Sequence, residues 1–144
     1  MELLPVRSFS VVVPPGTYVL GDPCYTVPHE DWHALLKSCD YFNTPIGVVK
    51  SHKILGFSTM YGDGMYRGCD GKYYPVDAGL IGLVPYDYAS PTARDNRKLV
   101  QLIKLDCSTL CTRSQEGELT FGAVKINTGF NDVNEEDEQY ASSY

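Results

Sequence analysis

The apolar residues of this chain arrive in short bursts, and most bursts end on Gly, Pro or Asp. SVVV runs into PPG, TYVL into GDP, KYYPV into DAG, and GLIGLV into a proline. Bursts this short, rich in Val, Ile, Leu and Tyr and bounded by turn formers, fit strands and leave no room for a long helix. One segment departs from the rule. Trp32, Leu35, Leu36 and Cys39 fall at i, i+3, i+4 and i+7, one apolar stripe along a helix. Pro28 suits its first turn, Glu30 and Asp31 favour its positive end, and Lys37 its negative end. The expectation is a β-rich α+β fold: a mostly antiparallel sheet or small sandwich with one packed helix at about 28–38. Strands are expected near 46–50, 53–60, 64–69, 72–77 and 80–84. Residues 9–13 and 17–21 read as a hairpin around PPG. Two last strands, near 98–106 and 118–127, are joined by CSTLCTRSQEG.

The stretch GDGMYRGCDGKYYPVDAG, residues 62–79, permits a geometric argument. Asp70-Gly71 is a strong signal for a two-residue type I′ turn. With that turn, Arg67 faces Tyr74 in a cation–π pair, and Gly64 faces Asp77 across a notch walled by Tyr66. Pro75 cannot donate to a ladder, which puts the ribbon at an edge.

Two carboxylates stand out. Asp77 lies between segments that look buried, so it must be paired or hydrogen-bonded. It either fixes the AGLIG corner or serves a ligand. Asp22 opens GDPCY, and Asp-Pro is a turn initiator whose carboxylate can accept N–H groups of the following turn. Cys24 reads as a half-core thiol, since a nucleophile needs a base and His29 or His33 could serve only if the helix folded back onto it. Eleven tyrosines against five phenylalanines exceed what a core needs, and most lie near strand ends or loops. Tyr offers a flat face and a hydrogen-bonding tip, which suits ring-shaped ligands and interfaces as well as strands.

Charge narrows the partners. Of the 18 acids, Asp132, Glu135, Glu136, Asp137 and Glu138 lie beyond the last basic residue, Lys125. The remainder carries 13 acids against 12 bases, so the net charge of −6 belongs to the end of the chain. Residues 1–130 are expected as one globular domain and 131–144 as an acidic, disordered tail. The bases are scattered, which disfavours nucleic acid as a partner. No apolar run approaches the roughly 20 residues of a membrane span, and the first residues lack a signal-peptide pattern, so a cytoplasmic location is expected. Five cysteines without a secretion signal do not make a disulfide framework. His29 and His33 are spaced for a metal but lack a fixed third ligand, and no metal or cofactor is expected.

The quoted blocks GDPCY, YGDGMY, YPVDAGLIGLVP and GELTFGAVKINT occur in an order that resembles a family of small uncharacterised bacterial and phage proteins. Its recurring elements are a GDPCY-type corner, a GDGxY hairpin, a YxVD[SA]GxIG strand pair and a terminal FG strand. The resemblance spans residues 16–127. It implies no catalytic assignment, only that Asp22, Cys24, Tyr25, Asp63, Gly64, Asp77 and Gly79 sit in the family's motifs.

Phosphate loops, nucleophile elbows and HExxH are all absent from the sequence. The expectation is therefore a non-enzymatic binding protein, of a phage accessory type that sequesters a nucleotide-like signalling molecule and evades host defence. Its candidate ligand residues are Asp22, Tyr25, Asp63, Tyr66, Arg67, Lys72, Tyr74 and Asp77. Two other readings stay open: an inhibitor that binds a host protein, and a small hydrolase using Asp22 or Cys24 with a helix histidine; self-association as a homo-oligomer is compatible with each reading.

Overall fold

Five antiparallel strands form the central layer of the computed structural model, which describes residues 8–129. The acidic tail expected at 131–144 lies outside the described residues. In chain order the elements are β1 (Phe9–Val13), β2 (Gly16–Gly21), α1 (Pro23–Thr26), α2 (His29–Ser38), β3 (Ile46–Val49), β4 (His52–Ser58), β5 (Gly64–Arg67), β6 (Tyr73–Val76), β7 (Leu80–Pro85), α3 (Pro91–Arg94), β8 (Gln101–Leu105), β9 (Thr109–Arg113), β10 (Glu118–Phe121) and β11 (Val124–Asn127). The central sheet runs β3-β4-β7-β2-β8 and a second sheet runs β1-β9-β10-β11. The β5-β6 hairpin attaches to β11 through an antiparallel bridge between Gly68 and Ile126. This is the expected β-rich α+β class, with α2 packed on a sandwich.

Strand periodicity decides what each face of the central sheet covers. Leu20, Leu55, Phe57, Ile81 and Leu83 point at the second sheet and hairpin, where Tyr66, Tyr74, Leu119, Phe121 and Ile126 close the core. Val19, Ile54, Leu80 and Val84 point the other way, towards Leu35, Cys39, Phe42 and Val100. A sheet buried on both faces explains why β7 reads as the nearly continuous run LIGLV. Gly21, Gly82 and Gly56 are register partners across β2, β7 and β4. A Cβ on Gly82 would lie 1.7 Å from the Leu55 carbonyl oxygen, and one on Gly56 would lie 2.8 Å from the Phe42 ring. The row of glycines is a floor that lets Phe42 sit flush on the sheet.

Four expectations are corrected. Strands β1 and β2 are not a hairpin; they belong to different sheets. Tight hairpin turns need positive φ, which proline cannot adopt, so Pro14-Pro15 instead carries the chain across from one sheet to the other. The segment CSTLCTRSQEG is not a plain connection, because it contains β9. The expected strand at 118–127 is two strands, β10 and β11, joined at Gly122-Ala123.

The fourth correction concerns the β5-β6 register. The loop has three residues, Cys69-Asp70-Gly71, with Gly71 N–H donating to Gly68 O at 3.0 Å and Gly68 N–H to Lys72 O at 2.9 Å. Gly71 has φ of 79°. This is a type I turn closed by a left-handed glycine rather than a type I′ turn. Asp70 favours it, accepting Lys72 N–H at 3.0 Å and the Tyr74 hydroxyl at 2.7 Å. Tyr66 therefore faces Tyr74, Arg67 faces Tyr73, and Gly64 faces Val76. The expected Arg67–Tyr74 pair and the Gly64–Asp77 notch do not form. Arg67 lies instead over the Tyr73 ring, 5.4 Å from its centroid.

Candidate functional site

Asp22 is the N-cap of α1, and its side chain is 0% exposed. One carboxylate oxygen accepts Cys24 N–H at 3.0 Å; the other accepts the N–H groups of Asp77 at 2.9 Å and Ala78 at 2.7 Å. Burial pushes its carboxyl above the ordinary range, and those backbone donors pull it back only in part. The Tyr25 hydroxyl donates to Asp77 Oδ2 at 2.9 Å. GDPCY and VDAG thus lock together as one corner, in which Asp22 does the bonding that the sequence suggested for Asp77. Asp77 itself is exposed. Burial, reinforced by the carboxylates of Asp22 and Asp77, pushes the Cys24 thiol far up, which keeps it from being a thiolate. Both helix histidines are exposed, and no hydrogen bond joins either to Cys24 among the described residues.

The eight candidate ligand residues therefore separate. Asp22, Tyr25 and Asp77 meet at the corner. Tyr66 and Tyr74 fill the core. Arg67 and Lys72 are exposed on the hairpin, and Asp63 is exposed in the loop before β5. Tyr66 and Tyr74, enclosed in the core, cannot meet a ligand together with the exposed members.

The corner supports an open cleft of about 920 Å³ nearby. Ala78, Gly79 and Leu80 form one of its walls, Ser58 to Tyr61 another, and Tyr41 to Asn43 a third, with Arg113, Gln115 and Glu116 also lining it. Three large side chains on this lining are exposed to solvent: Tyr41 at 60%, Met60 at 46% and Tyr61 at 61%.

Each wall is held from beneath. Thr59 N–H donates to Gly79 O at 2.9 Å, coupling the 59–62 loop to the wall that Asp22 fixes. The Thr59 hydroxyl donates to Gly62 O at 2.7 Å, as does the Tyr66 hydroxyl from the core at 2.9 Å. Met60 N–H donates to Thr128 Oγ1 at 3.0 Å. Tyr41 sits in an unusual turn: Asp40, Tyr41 and Phe42 have φ of 52°, 57° and 63°. Left-handed backbone costs an L-residue about 1–2 kcal/mol, and such strain persists only where the surroundings impose it. Tyr41 N–H donates to Leu36 O at 2.7 Å, and Phe42 is clamped on the glycine floor. Arg113, 4% exposed, donates from Nε to Ser58 O at 2.6 Å and from Nη1 to Ser114 O at 2.9 Å, tying the central sheet to the second one.

Chemically, the cleft offers aromatic and thioether surface at the rim with amide, hydroxyl and carboxylate groups around it. Met60 and Arg113 carry no motif signal, and Tyr41 and Tyr61 are two among many loop tyrosines. The one local hint is CDYFNTP, whose Asp40 and Asn43 bracket the left-handed turn, with Asn43 Nδ2 donating to Asp40 Oδ2 at 2.9 Å. Among the described residues no group of His, Cys, Asp and Glu is placed to hold a metal ion, and no helix is long and apolar enough to cross a membrane. Comparison with family models, curated proteins and solved structures found no match to this chain.

Proposed function

We propose that this protein is a non-enzymatic binding module that captures a ring-bearing, nucleotide-like small molecule in the cleft rimmed by Tyr41, Met60 and Tyr61. The observation that carries the reading is the gathering of three solvent-exposed large side chains on the lining of one cleft of about 920 Å³. Small-molecule sites occupy about 300–1,000 Å³ and bury most of their ligand against apolar and aromatic groups. Stacking a base on an aromatic side chain is worth about 1–3 kcal/mol, and a wall held by internal hydrogen bonds does not have to be ordered when the ligand arrives. A binder without turnover also suits the corner, where Cys24 stays a thiol and Asp22 is consumed by backbone donors. In this reading the biological role is sequestration of a nucleotide signal, as a phage accessory protein would perform it.

The test is incubation with a panel of cyclic nucleotides and ADP-ribose derivatives, followed by chromatography before and after heating the protein. Sequestration removes a ligand from solution and returns it intact on denaturation, and Tyr41→Ala with Tyr61→Ala abolishes the capture. A ligand returned as product would replace the reading with catalysis. An unchanged panel, with a host protein recovered in stoichiometric amount on the same rim, would replace it with protein recognition.

A further inference from the structure

A second cavity lies at the end of the sandwich farther along β1. It measures about 190 Å³, and its lining includes Val11, Tyr18, Ile46, Leu55 and Leu83 together with Lys53, the one charged residue among the described residues that form it. Tyr18 brings no free polar group, because its hydroxyl donates to Pro14 O at 2.7 Å. Lys53 is out of pattern. Strand periodicity places it on the same face of β4 as Leu55 and Phe57, the face turned to the second sheet, opposite Val48 of β3. Lys50 pairs with Asp31 and Arg94 with Asp95, whereas Lys53 has no carboxylate partner among the described residues.

We propose that this pocket binds a short aliphatic monocarboxylate, its tail among Val11, Leu55 and Leu83 and its carboxylate on the Lys53 ammonium. An apolar cavity of about 150 Å³ stays dry and admits a molecule with six carbons, so the space here suits a tail of about that size. A lysine drapes its stem over apolar surface while its charge stays in water, which would hold the Lys53 ammonium at the mouth of the pocket for the ligand's carboxylate.

The experiment uses the full chain with labelled methyl groups, titrated with hexanoate and, separately, with hexanol. Saturable shifts of the Val11, Leu55 and Leu83 methyls are expected with both. Lys53→Gln weakens hexanoate by about two- to fivefold, the range of an exposed ion pair, and leaves hexanol unchanged. Ile46→Phe fills the cavity and removes both, its folding verified by unshifted Leu35 and Ile54 methyls on the opposite face of the sheet. Should that variant fail to fold, Val11→Leu narrows the same space with one added methylene. Shifts that rise linearly to the solubility limit, or equal weakening of acid and alcohol by Lys53→Gln, would overturn the proposal. The outcome is independent of the tyrosine cleft, which shares no lining residue with this pocket.

Discussion

The carboxylate of Asp22 accepts the backbone N–H of Ala78 at 2.7 Å across 56 positions of sequence. The same oxygen takes the N–H of Asp77, so the end of β2 and the turn before β7 are joined through one buried acid. Asn in its place keeps the shape but turns an NH₂ towards N–H donors on one side or the other. Asp22→Asn is expected to lose about 2–3 kcal/mol in urea unfolding, the scale of hydrogen bonds to a charged group. Because Ala78 lines the cleft, ligand capture should fall with it. A variant as stable as the parent would show that the corner does not organise the wall.

The hairpin register makes opposite forecasts for neighbouring residues. Tyr74 is buried with its hydroxyl on Asp70, so Tyr74→Phe should cost about 1 kcal/mol. Arg67 is exposed over Tyr73, and Arg67→Ala should change stability by no more than about 0.5 kcal/mol. With an Asp70-Gly71 two-residue turn, Tyr74 would instead share a face with Arg67. A large loss at Arg67 beside a neutral Tyr74→Phe would favour that register.

These residues also show where the sequence was legible. Apolar bursts between turn formers located most strands closely, and the helical stripe located α2, because burial of one face imposes its period on the chain. Strand β9 escaped notice because its polarity is inverted: Leu110 is exposed while Arg113 is buried beneath the cleft. In the hairpin a one-residue change of loop length reversed which side chains face each other, a choice made by the Asp70 side chain and not by the Asp-Gly pair alone. The corner was half legible, since Asp-Pro announces a capped turn but cannot announce that its second oxygen reaches Ala78. The cleft was not legible at all. Its walls come from segments brought together only by strand order, and no local pattern distinguishes Tyr41 or Tyr61 from the tyrosines that fill the core.

Tyrosine burial sets an alkaline limit on stability. Tyr18, Tyr25, Tyr66, Tyr74 and Tyr88 all have hydroxyls pushed above the ordinary 10.0, chiefly by burial and, for Tyr25, Tyr74 and Tyr88, further by the carboxylates they donate to. The fold holds these phenols neutral, whereas the unfolded chain releases their protons from about pH 10. Their contribution is therefore complete below pH 10 and is lost as pH rises beyond it. Tyrosinate absorbance and circular dichroism recorded together should show these phenols ionising in the same step in which the strands melt. Smooth ionisation of every tyrosine with an unchanged dichroism spectrum would contradict the burial assigned to them.

The turn at Asp40, Tyr41 and Phe42 separates stability from binding. Tyr41 is mostly exposed, so it contributes little packing, yet its φ of 57° carries the cost of a left-handed L-residue. Glycine adopts that φ freely but adds chain entropy to the unfolded state, and the two effects oppose each other. Tyr41→Gly is expected to leave stability unchanged or to raise it by up to about 1 kcal/mol, read from urea unfolding. Tyr41→Ala keeps the strain and should show no gain. Both remove the ring, and both should weaken capture of a stacking ligand by about tenfold or more, the worth of one base on one aromatic side chain. A glycine variant that is markedly less stable would mean that the Tyr41 side chain supports the fold. A glycine variant that binds as well as the parent would remove Tyr41 from the site. If stability holds and capture fails, the strained turn is retained for what it presents at the cleft.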